Sequence, residues 1–125
     1  MNSYSYIIGV KMKEEECIEK DEHENRLNNT PNWRVEEIEA GCELFRVLGE
    51  PSRMKIVLAL WEGELCVYHI VKAVGGNQSA VSHQLRVLKD EKIVKSRKVG
   101  QNVLYSIADE HIYEIIMLLK THLNC

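Results

Sequence analysis

Apolar residues recur at helical spacing from Val35 onward. Val35, Ile38, Cys42, Phe45 and Leu48 follow one stripe that stops at Gly49, which predicts a first helix with Cys42 in its core face. Pro51 is placed for a first helical turn and opens a second helix to about Trp61, with Met54, Ile56, Val57, Leu58 and Leu60 as its apolar contacts. Gly63 breaks it. A short helix over Val67–Val74 closes at Gly75-Gly76, and Asn77 caps a fourth helix with Val81, Leu85 and Leu88 on one side. After Ile93 the period shortens: VKSRK and VLYSI, joined through Val99-Gly100-Gln101-Asn102, predict a β-hairpin. The last helix starts near Asp109. Its apolar positions 112, 115, 116, 119 and 123 form a stripe that Tyr113, Met117 and Leu118 widen, and so broad a face predicts burial against a second chain.

The fold class expected is therefore mainly α with a small β-hairpin (α+β), without internal repeats. A short helix, a glycine turn and a helix opening on small polar residues form a helix-turn-helix arrangement. At 125 residues the chain suits one folded domain. Residues 1–31 read as a flexible acidic N-terminal arm, because Glu14, Glu15, Glu16, Glu19, Asp21, Glu22 and Glu24 repel one another and LNNTPN resembles a linker. Residues 32–125 are then the domain. No segment has the length and apolarity of a membrane span or a signal peptide, so a cytoplasmic protein with no membrane partner is expected.

A net charge of −3 argues at first against nucleic acid, but its distribution reverses that. Residues 1–50 hold 6 Lys/Arg against 12 Asp/Glu, whereas residues 77–107 hold 6 against 2. The basic segment coincides with the fourth helix and the hairpin. Gln78, Ser79, Ser82, His83 and Arg86 lie on the polar face of that helix, suited to base edges. Lys95, Arg97 and Lys98 in the hairpin suit flanking phosphates, with Gln101 at its turn as a further DNA contact. The partner implied is double-stranded DNA.

Four cysteines (Cys17, Cys42, Cys66 and Cys125) show no disulfide-framework spacing, which points to reduced, metal-bound or redox-sensing thiols. Near the C-terminus, Asp109 pairs with Cys125 and His111 with His122 about one centre near Met117. His111 and His122 share a helical face but lie roughly 16 Å apart, too far for one ion. Two antiparallel copies about a two-fold axis bring Asp109 and His111 of one chain to His122 and Cys125 of the other. Each of the two resulting sites offers one carboxylate, two imidazoles and one thiolate, a set that suits a tetrahedral zinc-like ion. Cys66 and His69, three apart on the short helix, form a second candidate site.

The segments LFRVLGEPSRMKIVLAL, ELCVYHI, SAVSHQLRVLKDEKIVKSRKVGQNVLYSI and the D-x-H…H-x-x-C tail resemble the ArsR/SmtB family of metal-responsive repressors over about residues 40–125. The resemblance implies a winged-helix homodimer that binds a palindromic operator when metal-free. Metal would release it and derepress efflux or resistance genes. The tail resembles the family's dimer-interface metal site, with Cys125 where Glu or His is usual; the softer thiolate tilts the expected ion toward zinc or cadmium. At the second site His69 stands where Asp is usual and Tyr68 where arsenic and lead sensors often carry Cys, which disfavours an arsenite trithiolate. The resemblance implies Cys17 and His23 of the arm as that site's further ligands.

Two other readings stay open. The same DNA-binding dimer could sense oxidants or persulfides through Cys42, Cys66 or Cys125, given an accessible low-pKa thiol and a resolving partner. A zinc enzyme fits less well, since catalysis needs an open coordination position and a substrate cleft. The chain is not expected to be an enzyme.

Overall fold

The protein is seen in a computed structural model that describes residues 32–125. Helix α1 (Val35–Leu48) carries Glu36 and Glu37 in its first turn and Arg46 in its last, an order that suits the helix dipole. Helix α2 (Pro51–Ala59) begins under Glu50, whose carboxylate accepts hydrogen bonds from the backbone N–H groups of Ser52 and Arg53. Pro51 occupies the first turn, where its missing N–H costs nothing. Helix α3 (Val67–Val74) stops at Gly75 and Gly76, whose φ angles of 86° and 89° are readily reached by glycine. Helix α4 (Gln78–Asp90) starts under Asn77, which accepts from the Ala80 N–H at 2.8 Å.

Strands β2 (Val94–Val99) and β3 (Asn102–Ile107) form the expected hairpin, and helix α5 (Glu110–Leu123) follows. A strand not foreseen from the sequence, β1 (Leu65–Cys66), pairs antiparallel with β3, giving the sheet order β1-β3-β2. Two residues are too few to show alternation, so only the tertiary pairing reveals it. The five helices and three-stranded sheet are those of a winged helix-turn-helix, with α3 and α4 as its two helices and β2–β3 as its wing.

Glu36–Cys125 cluster as one unit around a core of Ile56, Val57, Leu60, Ile70, Leu85, Leu88, Ile93 and Val94. The predicted α4 positions Val81, Leu85 and Leu88 are all buried. Leu85→Ala is expected to cost about 2–5 kcal/mol, seen as a lower urea midpoint at unchanged slope. Arg53 holds α2 against α4, donating from Nε to Gln84 Oε1 at 2.7 Å. Tyr113 anchors α5: its hydroxyl donates to the Trp61 carbonyl at 3.3 Å, and its ring meets Trp61 edge-on at 4.7 Å.

Helix α1 departs from expectation. Leu44, Val47 and Leu48 pack on the core, while Ile38, Cys42 and Phe45 face outward, with Phe45 63% exposed. Of the expected stripe only Leu48 is buried, while Val35, Ile38, Cys42 and Phe45 lie on a second, outward apolar face. Cys42 is thus an exposed thiol, not a core residue. Among the described residues, no helix is long and apolar enough to cross a membrane.

Candidate nucleic-acid interface and metal centre

The buried side of α4 leaves its other face to solvent, and Gln78, Ser79, Ser82, His83 and Arg86 together line a shallow open hollow there. The short Ser79 and Ser82 stand in the N-terminal turns and the long Arg86 about two turns on from the helix start, so the N-terminal turns can approach base edges most closely. Lys89, in the last turn, donates to Ser96 Oγ at 2.7 Å and so ties α4 to the wing. Val94 and Ile107 are buried, so strand alternation puts Ser96 and Lys98 on the face turned toward α4 and Lys95 and Arg97 on the opposite one. Lys95, Lys98 and Gln101 are exposed. Arg97 is engaged: Nε and Nη2 donate to the two oxygens of Glu64 at 2.6 and 2.9 Å. The predicted DNA contacts therefore fall on one helix face and one hairpin. The acidic partner of Arg97 was missed, because it lies 33 residues away in sequence.

At the start of α5, Asp109 acts as the N-cap. Its Oδ1 accepts from the N–H groups of His111 at 2.9 Å and Ile112 at 3.3 Å, and His111 Nδ1 lies 3.4 Å from the same oxygen. Capping through Oδ1 leaves Oδ2 for an external ligand. The His111 side chain is 82% exposed. At the other end the helix closes at Asn124, and the Cys125 N–H donates to the His122 carbonyl at 3.3 Å, a single turn that keeps Cys125 beside the helix end. Positions 111, 115, 118, 122 and 125 alternate spacings of four and three, the spacing of a helix–helix seam. Leu118 at its middle is 70% exposed, and Met117, Leu119 and Leu123 beside it are exposed too. The chemistry of the four donors fits a tetrahedral ion, but one protomer does not gather them: among the described residues no three His, Cys, Asp or Glu side chains converge.

The second candidate pair does meet. Cys66 Sγ lies 3.2 Å from His69 Nδ1, with Cys66 at the N-cap of α3. Tyr68 stands edge-on to His69 at 5.3 Å, and Lys72 Nζ sits 5.7 Å from the Tyr68 ring centre. Cys17 and His23 lie outside the described residues.

The chain is similar to known regulatory proteins. Residues 50–96 match the family described as bacterial regulatory protein, arsR family. A transcriptional repressor SmtB homolog of Synechocystis is 43% identical over 83 residues, covering 66% of this chain and 63% of the relative. A staphylococcal cadmium resistance transcriptional regulatory protein, a CadC homolog, is 38% identical over 76 residues, 60% of this chain and 63% of that one. The chain thus spans less than two thirds of both these relatives. An HTH-type transcriptional regulator of Methanocaldococcus jannaschii is 38% identical over 86 residues, with 68% of this chain and 97% of the relative covered. Among solved structures, the homodimeric winged helix-turn-helix DNA-binding domain of a possible ArsR-family regulator from Mycobacterium bovis aligns with a TM-score of 0.68 at 23% identity. It covers 76% of this chain and 91% of that one, a likeness of fold.

Proposed function

Because the chain belongs to the ArsR family of bacterial regulatory proteins, a family of DNA-binding transcriptional regulators, we propose that it is a metal-sensing repressor. A homodimer binds palindromic operator DNA through α4 and the wing when metal-free. Zinc or cadmium then binds, releases the operator and derepresses metal efflux or resistance genes. The similarity to a cadmium resistance regulatory protein supports cadmium among these ions. The folded domain is residues 32–125, with residues 1–31 as an acidic arm.

One observation carries this reading. Asp109 with His111, and His122 with Cys125, stand at opposite ends of an α5 seam whose middle is exposed apolar surface. A second copy laid antiparallel on that seam covers Leu118 and completes two ligand sets at once. Asp109 lies next to Ala108, whose N–H donates to the Ile93 carbonyl at 3.0 Å; the Ile93 N–H in turn donates to Leu88 in α4 at 2.9 Å. A shift of the α5 start on metal binding is thereby passed to the end of the recognition helix. The ion needs deprotonated donors, so its affinity falls as pH drops. Cys66 and His69, joined by Cys17 and His23 from the arm, form the second site.

The test is fluorescence anisotropy with a duplex selected from a random library by the metal-free protein. Zinc or cadmium is expected to weaken binding about 5–150-fold; affinity unchanged across a metal panel would sink the sensing claim. Asp109→Asn keeps an oxygen for the cap but loses the charge, so it should blunt the metal response with little loss of stability. Asp109→Ala should also lower stability by about 0.5–2 kcal/mol. Cys125→Ser should remove thiolate-to-cobalt absorption from the α5 site, measured with Co(II) in a Cys66→Ser background.

The exposed Cys42 and the Cys66–His69 pair favour a second reading, thiol sensing by the same dimer. Mass spectrometry after mild oxidation separates the two: a disulfide that abolishes DNA binding supports thiol sensing.

A further inference from the structure

Glu64 and Arg97 form a side-on pair across the sheet. Glu64 immediately precedes β1, Arg97 is on β2, and β3 runs between them with Leu104 in register with both Cys66 and Arg97. Lys95 shares the sheet face of Arg97. The Arg97 hydrogen bond, together with the positive fields of Arg97 and Lys95, holds the Glu64 carboxyl below its usual range, and the same hydrogen bond raises Arg97. Both groups are thus charged at neutral pH and cancel each other. Lys95 acts on Glu64 only from a distance, and neither Lys95 nor Lys98 forms a contact ion pair among the described residues.

Resting on the reading of this protein as a DNA-binding repressor, we infer that Glu64 attenuates DNA affinity by neutralising Arg97. The wing then meets the phosphate backbone with one cation fewer than its sequence carries. Backbone affinity counts uncompensated cations, because each one that replaces a condensed counterion adds to the salt-dependent term. A guanidinium whose Nε–Nη2 edge is already bound to a carboxylate replaces none. Glu64 also brings a negative charge to the wing, which the DNA polyanion repels. A contrary role, in which Glu64 aims the remaining Nη1 at a phosphate, predicts the opposite sign for Glu64→Gln.

The electrostatic term is independent of sequence, so a mixed-sequence duplex of about three helical turns serves as the probe. Binding of full-length wild type, Glu64→Gln, Arg97→Gln and the double variant is followed by anisotropy over a salt series. Glu64→Gln is expected to bind about threefold or more tightly and to steepen the log affinity against log salt slope by about 0.9 per engaged protomer. Arg97→Gln should keep the wild-type slope but bind about threefold or more weakly, because Glu64 is then uncompensated, and the double variant should forfeit the whole Glu64→Gln gain and return to near wild-type affinity. Weaker binding or an unchanged slope for Glu64→Gln would overturn the inference. So would a flattened slope for Arg97→Gln alone, which would mean that Arg97 already contacts phosphate. Failure of the wild type to bind the duplex at all would instead fell the DNA-binding reading, and this inference with it. Circular dichroism melts of the two exposed-site variants exclude misfolding as the cause.

Discussion

Leu118→Glu is expected to leave a folded protomer that no longer dimerises and that binds operator DNA about 10³-fold or more weakly, the gap between specific and non-specific binding. Leu118 is 70% exposed within one chain, so the protomer core does not depend on it. In the proposed dimer it lies beside the two-fold axis near Met117, where one substitution acts twice. Two carboxylates facing each other across a desolvated seam repel, and burying them is costly. Sedimentation velocity and anisotropy on the same sample check this, with circular dichroism confirming the fold. A variant that still sediments as a dimer at micromolar concentration would remove α5 from the interface.

His111→Ala is expected to bind the operator as wild type does without metal, yet to show no release when zinc or cadmium is added. The exposed imidazole makes no contact with the core, so its loss leaves the DNA-binding surface intact. What disappears is the coupling, about 1–3 kcal/mol in a typical allosteric pair, read as the loss of a roughly 5–150-fold metal effect. His122→Ala should behave alike, because the two imidazoles belong to one ligand set. Isothermal titration with zinc, run beside the anisotropy, separates lost binding from lost coupling. A variant that retained full metal-driven release would assign sensing to Cys66 and His69 instead.

The parts of the fold read from the sequence are those that repeat. Val81, Leu85 and Leu88 recur at helical spacing and are buried; Gly75-Gly76 and Asn77 punctuate α3 and α4 through backbone conformation and capping, both local effects. What escaped depends on partners far along the chain. Strand β1 exists because Leu65 and Cys66 meet Tyr105 and Leu104, and the engagement of Arg97 depends on Glu64. Helix α1 misled for another reason: Ile38, Cys42 and Phe45 form a regular stripe, but periodicity does not say which of two apolar faces meets the protomer's own core. In the candidate metal site, ligand types and spacing were legible from residues 109–125. The capping bonds of Asp109 Oδ1 emerge from the structure, and they leave Oδ2 of the same carboxylate for a ligand role.

The claim that an ion is held jointly by two chains is tested most directly by mixing His111→Ala with His122→Ala protomers. Each variant alone has no complete ligand set. A mixed dimer pairs the intact Asp109 and His111 of one protomer with the intact His122 and Cys125 of the other, so one of its two sites is whole. With random exchange, half of the dimers are mixed, and titration of the mixture should recover about a quarter of the wild-type tight zinc sites. Recovery of that fraction only after the two proteins are combined is the result predicted here. A mixture that binds no more zinc than its separate components would contradict it.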